Sequence, residues 1–148
     1  MARRAFFSFH YQRDIWRVNQ IRNIPNVTGC AAAGFQDASL WEETKKKGDA
    51  AIKALINKAL ENTTVTVVFV GAQTANRTFI NYEIDQSIAR GNGLVAVQIH
   101  QLKDQFGQAD VPGAIPSKIT GAGYKAYKYV DHSTLGRWIE EAAVAAGK

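Results

Sequence analysis

One glutamate in this chain stands where a carboxyl group could act on a bound ligand. Glu83 falls on a helix predicted over Asn76–Arg90, which follows an apolar strand and the polar loop Gly71-Ala72-Gln73-Thr74-Ala75. At 100° per residue, Ile80, Ile84 and Ile88 form the buried stripe of that helix. Phe79, Glu83 and Arg90 lie together off one edge of the stripe, with Ser87 between them and the isoleucines. The wheel therefore predicts a half-buried carboxylate, and partial burial beside aromatics raises its pKa toward the range useful for acid–base work. The plainer alternative is a structural salt bridge from Glu83 to Arg90 or Arg77.

Other side chains offer less. His10 directly follows the first predicted strand, where an imidazole can contact phosphate or act as a base; a hydrogen-bonded loop histidine is the competing reading. His100 and His132 are isolated and read as structural, and Asp14 reads as a helix cap. No His/Cys/Asp cluster has metal-ligand spacing. The chain carries neither a P-loop nor a GxGxxG motif, and no serine sits in a nucleophile elbow. Asp37 and Trp41 belong to a polar loop that could fold over a ligand.

The elements that must position these residues alternate. Arg4–Phe9, Val65–Val70 and Leu94–Ile99 read as strands, the latter two as β-branched runs buried on both faces. Tyr124–Val130 reads as an edge strand, because two lysines interrupt it, and Ala31–Phe35 as a short further strand. Ile52, Leu55, Ile56, Ala59 and Leu60 repeat with helical spacing, as do Leu135, Trp138, Ile139, Ala142 and Ala143, with Ser133 as the expected N-cap of the second helix. A shorter helix is expected from Asp14 to Arg22, and Gln101–Thr120 reads as irregular. Strands alternating with helices imply a parallel sheet. With five strands the expected order is 2-1-3-4-5, whose switch point lies between strands 1 and 3. A pocket there would be walled by Ser8-Phe9-His10-Tyr11 and by the start of the Glu83 helix.

At 148 residues the chain fits one domain, 1–148, and 46% hydrophobic residues suffice for a core. No apolar run approaches a membrane span. The basic-then-apolar start, Met1-Ala2-Arg3-Arg4-Ala5-Phe6-Phe7, is interrupted too early for a signal peptide, so a cytoplasmic location is expected. The single Cys30 excludes an internal disulfide and any multi-cysteine metal site. Asn26, Asn62 and Asn76 each head an Asn-x-Thr triplet. The net charge of +5 and a pI near 9.4 favour an anionic partner, either nucleic acid or a phosphorylated small molecule. Lys45-Lys46-Lys47-Gly48 reads as a solvated turn.

Two segments together resemble a known family. Phe6-Phe7-Ser8-Phe9-His10-Tyr11, followed by Asp14 and Trp16-Arg17, resembles the opening strand and loop of TIR-like domains. The similarity is closest to the divergent bacterial group that includes the Thoeris anti-phage defence protein ThsB. Arg77-Thr78-Phe79-Ile80-Asn81-Tyr82-Glu83-Ile84 resembles that group's catalytic helix. Many enzymatic TIR domains read Trp-Cys-x-x-Glu there; this chain reads Phe79-Ile80-Asn81-Tyr82-Glu83, keeping the glutamate and replacing the tryptophan and cysteine. The resemblance implies a flavodoxin-like, three-layer α/β sandwich. It also implies an enzyme that cleaves NAD+ at the nicotinamide–ribose bond and makes a cyclic ADP-ribose-type signal for an effector protein. On that reading Glu83 is the catalytic glutamate, and Ser8, Phe9 and His10 line the opposite wall. Phe9, Tyr11, Phe79 and Tyr82 are available to stack on nicotinamide or adenine, and Arg77 to offset the pyrophosphate. NAD+ would be the substrate, with no cofactor and no metal, and the domain would self-associate. Two other readings stand beside it: a non-catalytic TIR interaction module, and a basic nucleic-acid-binding α/β domain.

Overall fold

The computed structural model describes residues 3–31 and 43–148. Its centre is a parallel sheet of five strands in the order β2-β1-β3-β4-β5. The strands are β1 (Arg3–Ser8), β2 (Val27–Cys30), β3 (Val65–Val70), β4 (Gly93–Gln98) and β5 (Lys125–Lys128). The helices are α1 (Tyr11–Ile21), α2 (Asp49–Leu60), α3 (Thr78–Ala89), α4 (Ser117–Thr120) and α5 (His132–Ala145). This is the α/β order expected from the alternation, and it puts the crevice between β1 and β3.

Strand periodicity divides the core into two layers. Ala5, Phe7, Val65, Val67, Phe69, Val95 and Val97 face one side, where they pack with Val18 and Ile21 of α1 and with Leu135 and Ile139 of α5. Phe6, Val68, Val70 and Ala96 face the other side. There they meet Ile52, Ile56 and Leu60 of α2, Ile80 and Ile84 of α3, and Ile119 of α4. Ser8 and Thr66 share the second face by the same alternation, which aims two buried hydroxyls at the α2–α3 layer.

Several expectations need correction. The second strand is Val27–Cys30; Ala31 follows it as irregular chain, and the rest of the expected Ala31–Phe35 lies outside the described residues. Gly29 explains the misreading: a glycine weakens the strand signal, yet its place is fixed because a Cβ would run into the Phe7 ring. Asp14 does not cap α1. His10 does, its Nδ1 accepting the Arg13 N–H at 3.2 Å, while Asp14 is buried inside the first turn. Asp131, not Ser133, caps α5 through the Thr134 N–H at 2.7 Å. Ile88 is 39% exposed, so the buried stripe of α3 ends at Ile84. The expected irregular stretch 101–120 contains α4 at its end.

The three Asn-x-Thr asparagines share one conformation. Asn26, Asn62 and Asn76 all have φ between 62° and 65°, the left-handed region that asparagine tolerates better than most side chains. Asn76 makes this turn just before Arg77, the N-cap of α3. It thereby sets the direction in which the Glu83 helix leaves the sheet.

Candidate functional site

A cavity of about 570 Å³ opens at the carboxyl ends of β1 and β3. Phe9, His10, Tyr11 and Gln12 form its first wall, and Asn76, Arg77, Thr78, Phe79, Ile80 and Glu83 its second. Lys45, Ile52 and Ile56 supply a third. The first two walls are those expected from the switch point. The third had no sequence signal: Ile52 and Ile56 read as ordinary helix core, and Lys45 as part of a solvated run. Gly71 and Ala72, at the end of β3, stay out of the cavity. Gly71 is packed against the Asp14 carboxylate, and both residues lie under Gly113.

Glu83 is more buried than the helical wheel suggests, at 6% exposure. Neither Arg77 nor Arg90 pairs with it. Arg77 bonds Gln73 O at 2.9 Å and Gln73 Oε1 at 3.1 Å, and Arg90 bonds Asn57 O at 3.2 Å. The Glu83 partner is Ser8, whose Oγ donates to Glu83 Oε1 at 2.8 Å in a buried contact. Desolvation pushes the Glu83 carboxyl up to about 8, and the Ser8 hydrogen bond works in the opposite direction. The Glu83 backbone is tied down as well: Ser87 Oγ bonds Glu83 O at 2.7 Å and contacts Thr66 Oγ1 at 2.7 Å. One hydroxyl on β1 and one on β3 thus anchor α3 on either side of the crevice.

The other expected site residues divide. Phe9, His10, Phe79 and Arg77 do line the cavity. Phe79 is one turn before Glu83 and shares its face. Ser8 lies behind Glu83 rather than on the wall. Tyr82 is displaced: one residue from Glu83 means 100° around the helix, and that turn takes it to α2. There its hydroxyl accepts from Asn57 Nδ2 at 2.9 Å and Lys53 Nζ stands 5.2 Å from its ring centre. Burial, then the charges of Arg77 and Arg13, lower the His10 pKa, which favours the neutral imidazole. Since Nδ1 accepts the cap bond, Nε2 is the donor nitrogen. Asp37 and Trp41 lie outside the described residues. Among the described residues no group of His, Cys, Asp and Glu side chains could hold a metal ion, and no helix is long and apolar enough to cross a membrane.

The fold is thus a parallel α/β domain with a buried acid, Glu83, and an exposed arginine, Arg77, on the walls of one crevice. The sequence is matched over residues 6–104 by the family of the Thoeris protein ThsB, TIR-like domain. It is also 43% identical, over 145 residues, to the "Putative cyclic ADP-D-ribose synthase ThsB1" of Bacillus cereus (strain MSX-D12). That match covers 95% of this chain and 76% of the relative. The chain belongs to the TIR-like domain family of Thoeris protein ThsB.

Proposed function

We propose that this protein is an NAD+-consuming enzyme that breaks the nicotinamide–ribose bond and releases a cyclic ADP-ribose-type signal in anti-phage defence. The relative's name supports the reaction class. The observation that carries the reading is a buried glutamate on the wall of a cavity of dinucleotide-compatible size at the switch point.

The chemistry follows from charge. When the N-glycosidic bond breaks, its electron pair leaves with nicotinamide, and the ribose carbon becomes oxocarbenium-like. A carboxylate beside that carbon stabilises the new cation, as in glycoside cleavage. Burial lifts the Glu83 carboxyl to about 8, which favours its protonated form at neutral pH. The pyridinium charge of NAD+ favours the ionised form, so binding and deprotonation of Glu83 are coupled. Phe9, Tyr11 and Phe79 offer aromatic surface for the bases. Arg77 and Lys45 offer positive charge for the pyrophosphate. Water reaching the ribose carbon gives the linear product; an internal nucleophile of the bound ADP-ribose gives a cyclic one, and the apolar wall of Ile52 and Ile56 favours the latter by excluding water. NAD+ is the substrate here, and neither a metal nor a further cofactor takes part. An effector that reads the product, and assembly of the domain with itself, complete the reading, with the cytoplasm as its setting.

The test is NAD+ turnover by chromatography with mass detection, for wild type and Glu83→Gln, with purified protein and in phage-challenged cells. Nicotinamide release that disappears in the variant, with a product lacking the mass of added water, is the expected outcome. No release in either setting would replace this reading with that of an interaction module.

A further inference from the structure

We propose that Ser8 is a positioning residue for the reaction: its hydroxyl holds one oxygen of Glu83, aims the carboxylate at the cavity and favours its charged form. The inference rests on the proposed role of Glu83, but the contact beneath it is independent of that role. Ser8 is fully buried at the last position of β1, and Glu83 lies 75 residues later on α3. Their bond, at 2.8 Å, is the one hydrogen bond to the Glu83 carboxyl among the described residues. Ser8 thus occupies Oε1 and leaves Oε2 for the ligand.

Direction and charge follow from the same contact. Without this donor the carboxyl would have no hydrogen-bond partner among the described residues to fix its orientation beside the cavity. A donor placed behind it fixes the plane of the group. A hydroxyl also stabilises the anion more than the neutral acid, partly offsetting the desolvation that disfavours charge. Among the described residues, the other titratable groups on the cavity walls are His10 and Tyr11 from the β1–α1 side, Lys45 ahead of α2, and Arg77 at the head of α3. None of them hydrogen-bonds Glu83, so Ser8 is the lever that reaches it directly.

The experiment compares wild type, Ser8→Ala and Ser8→Thr in two measurements. The first is a pH titration of carbon-13-labelled glutamate carboxyl signals, with the Glu83 resonance assigned by its absence in Glu83→Gln. The second is the pH profile of kcat/KM for NAD+ cleavage. Loss of the hydroxyl should move the Glu83 midpoint upward by about one unit or more, with Ser8→Thr returning it toward wild type. The acidic limb of kcat/KM should move with it. Circular dichroism melts confirm that each variant is folded. An unmoved midpoint in folded Ser8→Ala overturns the proposal. The titration decides the role of Ser8 without turnover, so an inactive wild type would sink the functional reading alone.

Discussion

Glu83 makes its strongest statement through pH. A free glutamate ionises near 4.5, and burial lifts this one to about 8. Between those values the unfolded chain holds fewer protons at this site than the folded chain. The contribution of Glu83 to stability therefore falls as pH rises through the window and levels off above it. Glu83→Gln removes that dependence, so its melting temperature should gain on wild type between about pH 5 and about pH 9. A constant difference across that range would show that Glu83 titrates normally. In activity, the variant should lose about a hundredfold or more in kcat, measured as nicotinamide release. His10 makes a separate, structural prediction. Loss of its cap in His10→Ala should cost about 1 kcal/mol in denaturant unfolding, and His10→Asn should restore most of it. Helical spacing was enough to place Glu83 beside Phe79 and half out of solvent, short of the near-complete burial observed. It could not reveal Ser8 as the partner, because that contact depends on which strand α3 lies across, and 75 residues separate the two.

At the scale of elements, the loop ends are fixed by close packing rather than by hydrogen bonds alone. Gly71 ends β3 against the carboxylate of Asp14, which is itself paired with buried Arg17 at 3.1 Å. Arg17 continues to Leu102 O at 2.8 Å and Gln108 O at 3.0 Å, and so ties α1 to the loop after β4. Gly71→Ala should destabilise by about 1–3 kcal/mol through steric overlap. Asp14→Ala should cost about 1–3 kcal/mol, because buried Arg17 loses its nearest carboxylate while Asp110 at 3.7 Å and Asp104 at 3.9 Å still face its guanidinium. Since both changes act at one contact, the double variant should lose less than the sum in a denaturant cycle; strict additivity would mean that the two residues do not meet. The long β-branched strand Val65–Val70 was legible to the residue. The register of β2 and the start of α1 were not. Gly29 hides a strand whose value lies in fitting under Phe7, and Asp14 mimics a cap while serving a buried ion pair.

For the whole molecule, the net charge of +5 reads differently once the cavity is known. Two of the cations, Lys45 and Arg77, stand on its walls, where they suit the pyrophosphate of a dinucleotide. Reversing both, Lys45→Glu with Arg77→Glu, should raise KM for NAD+ by about tenfold at low salt and by less as salt is added. A KM unchanged at every salt concentration would place the phosphates elsewhere. The strand order was legible because alternation and length allow few parallel sheets. The third wall of the cavity was not, because burial of Ile52 and Ile56 is equally satisfied by core and by ligand.

The lone thiol has a practical consequence. Cys30 Sγ lies 3.2 Å from Ala59 O and 3.5 Å from Ala5 O, and burial raises its pKa, so little of the reactive thiolate forms at neutral pH. A maleimide dye should therefore label the native chain slowly and the denatured chain fully. A cysteine placed on an exposed position near the cavity, such as Gln73, would then be the one fast-reacting site. The protein is in this sense ready-made for fluorescence measurements of ligand entry, with no background thiol to remove first.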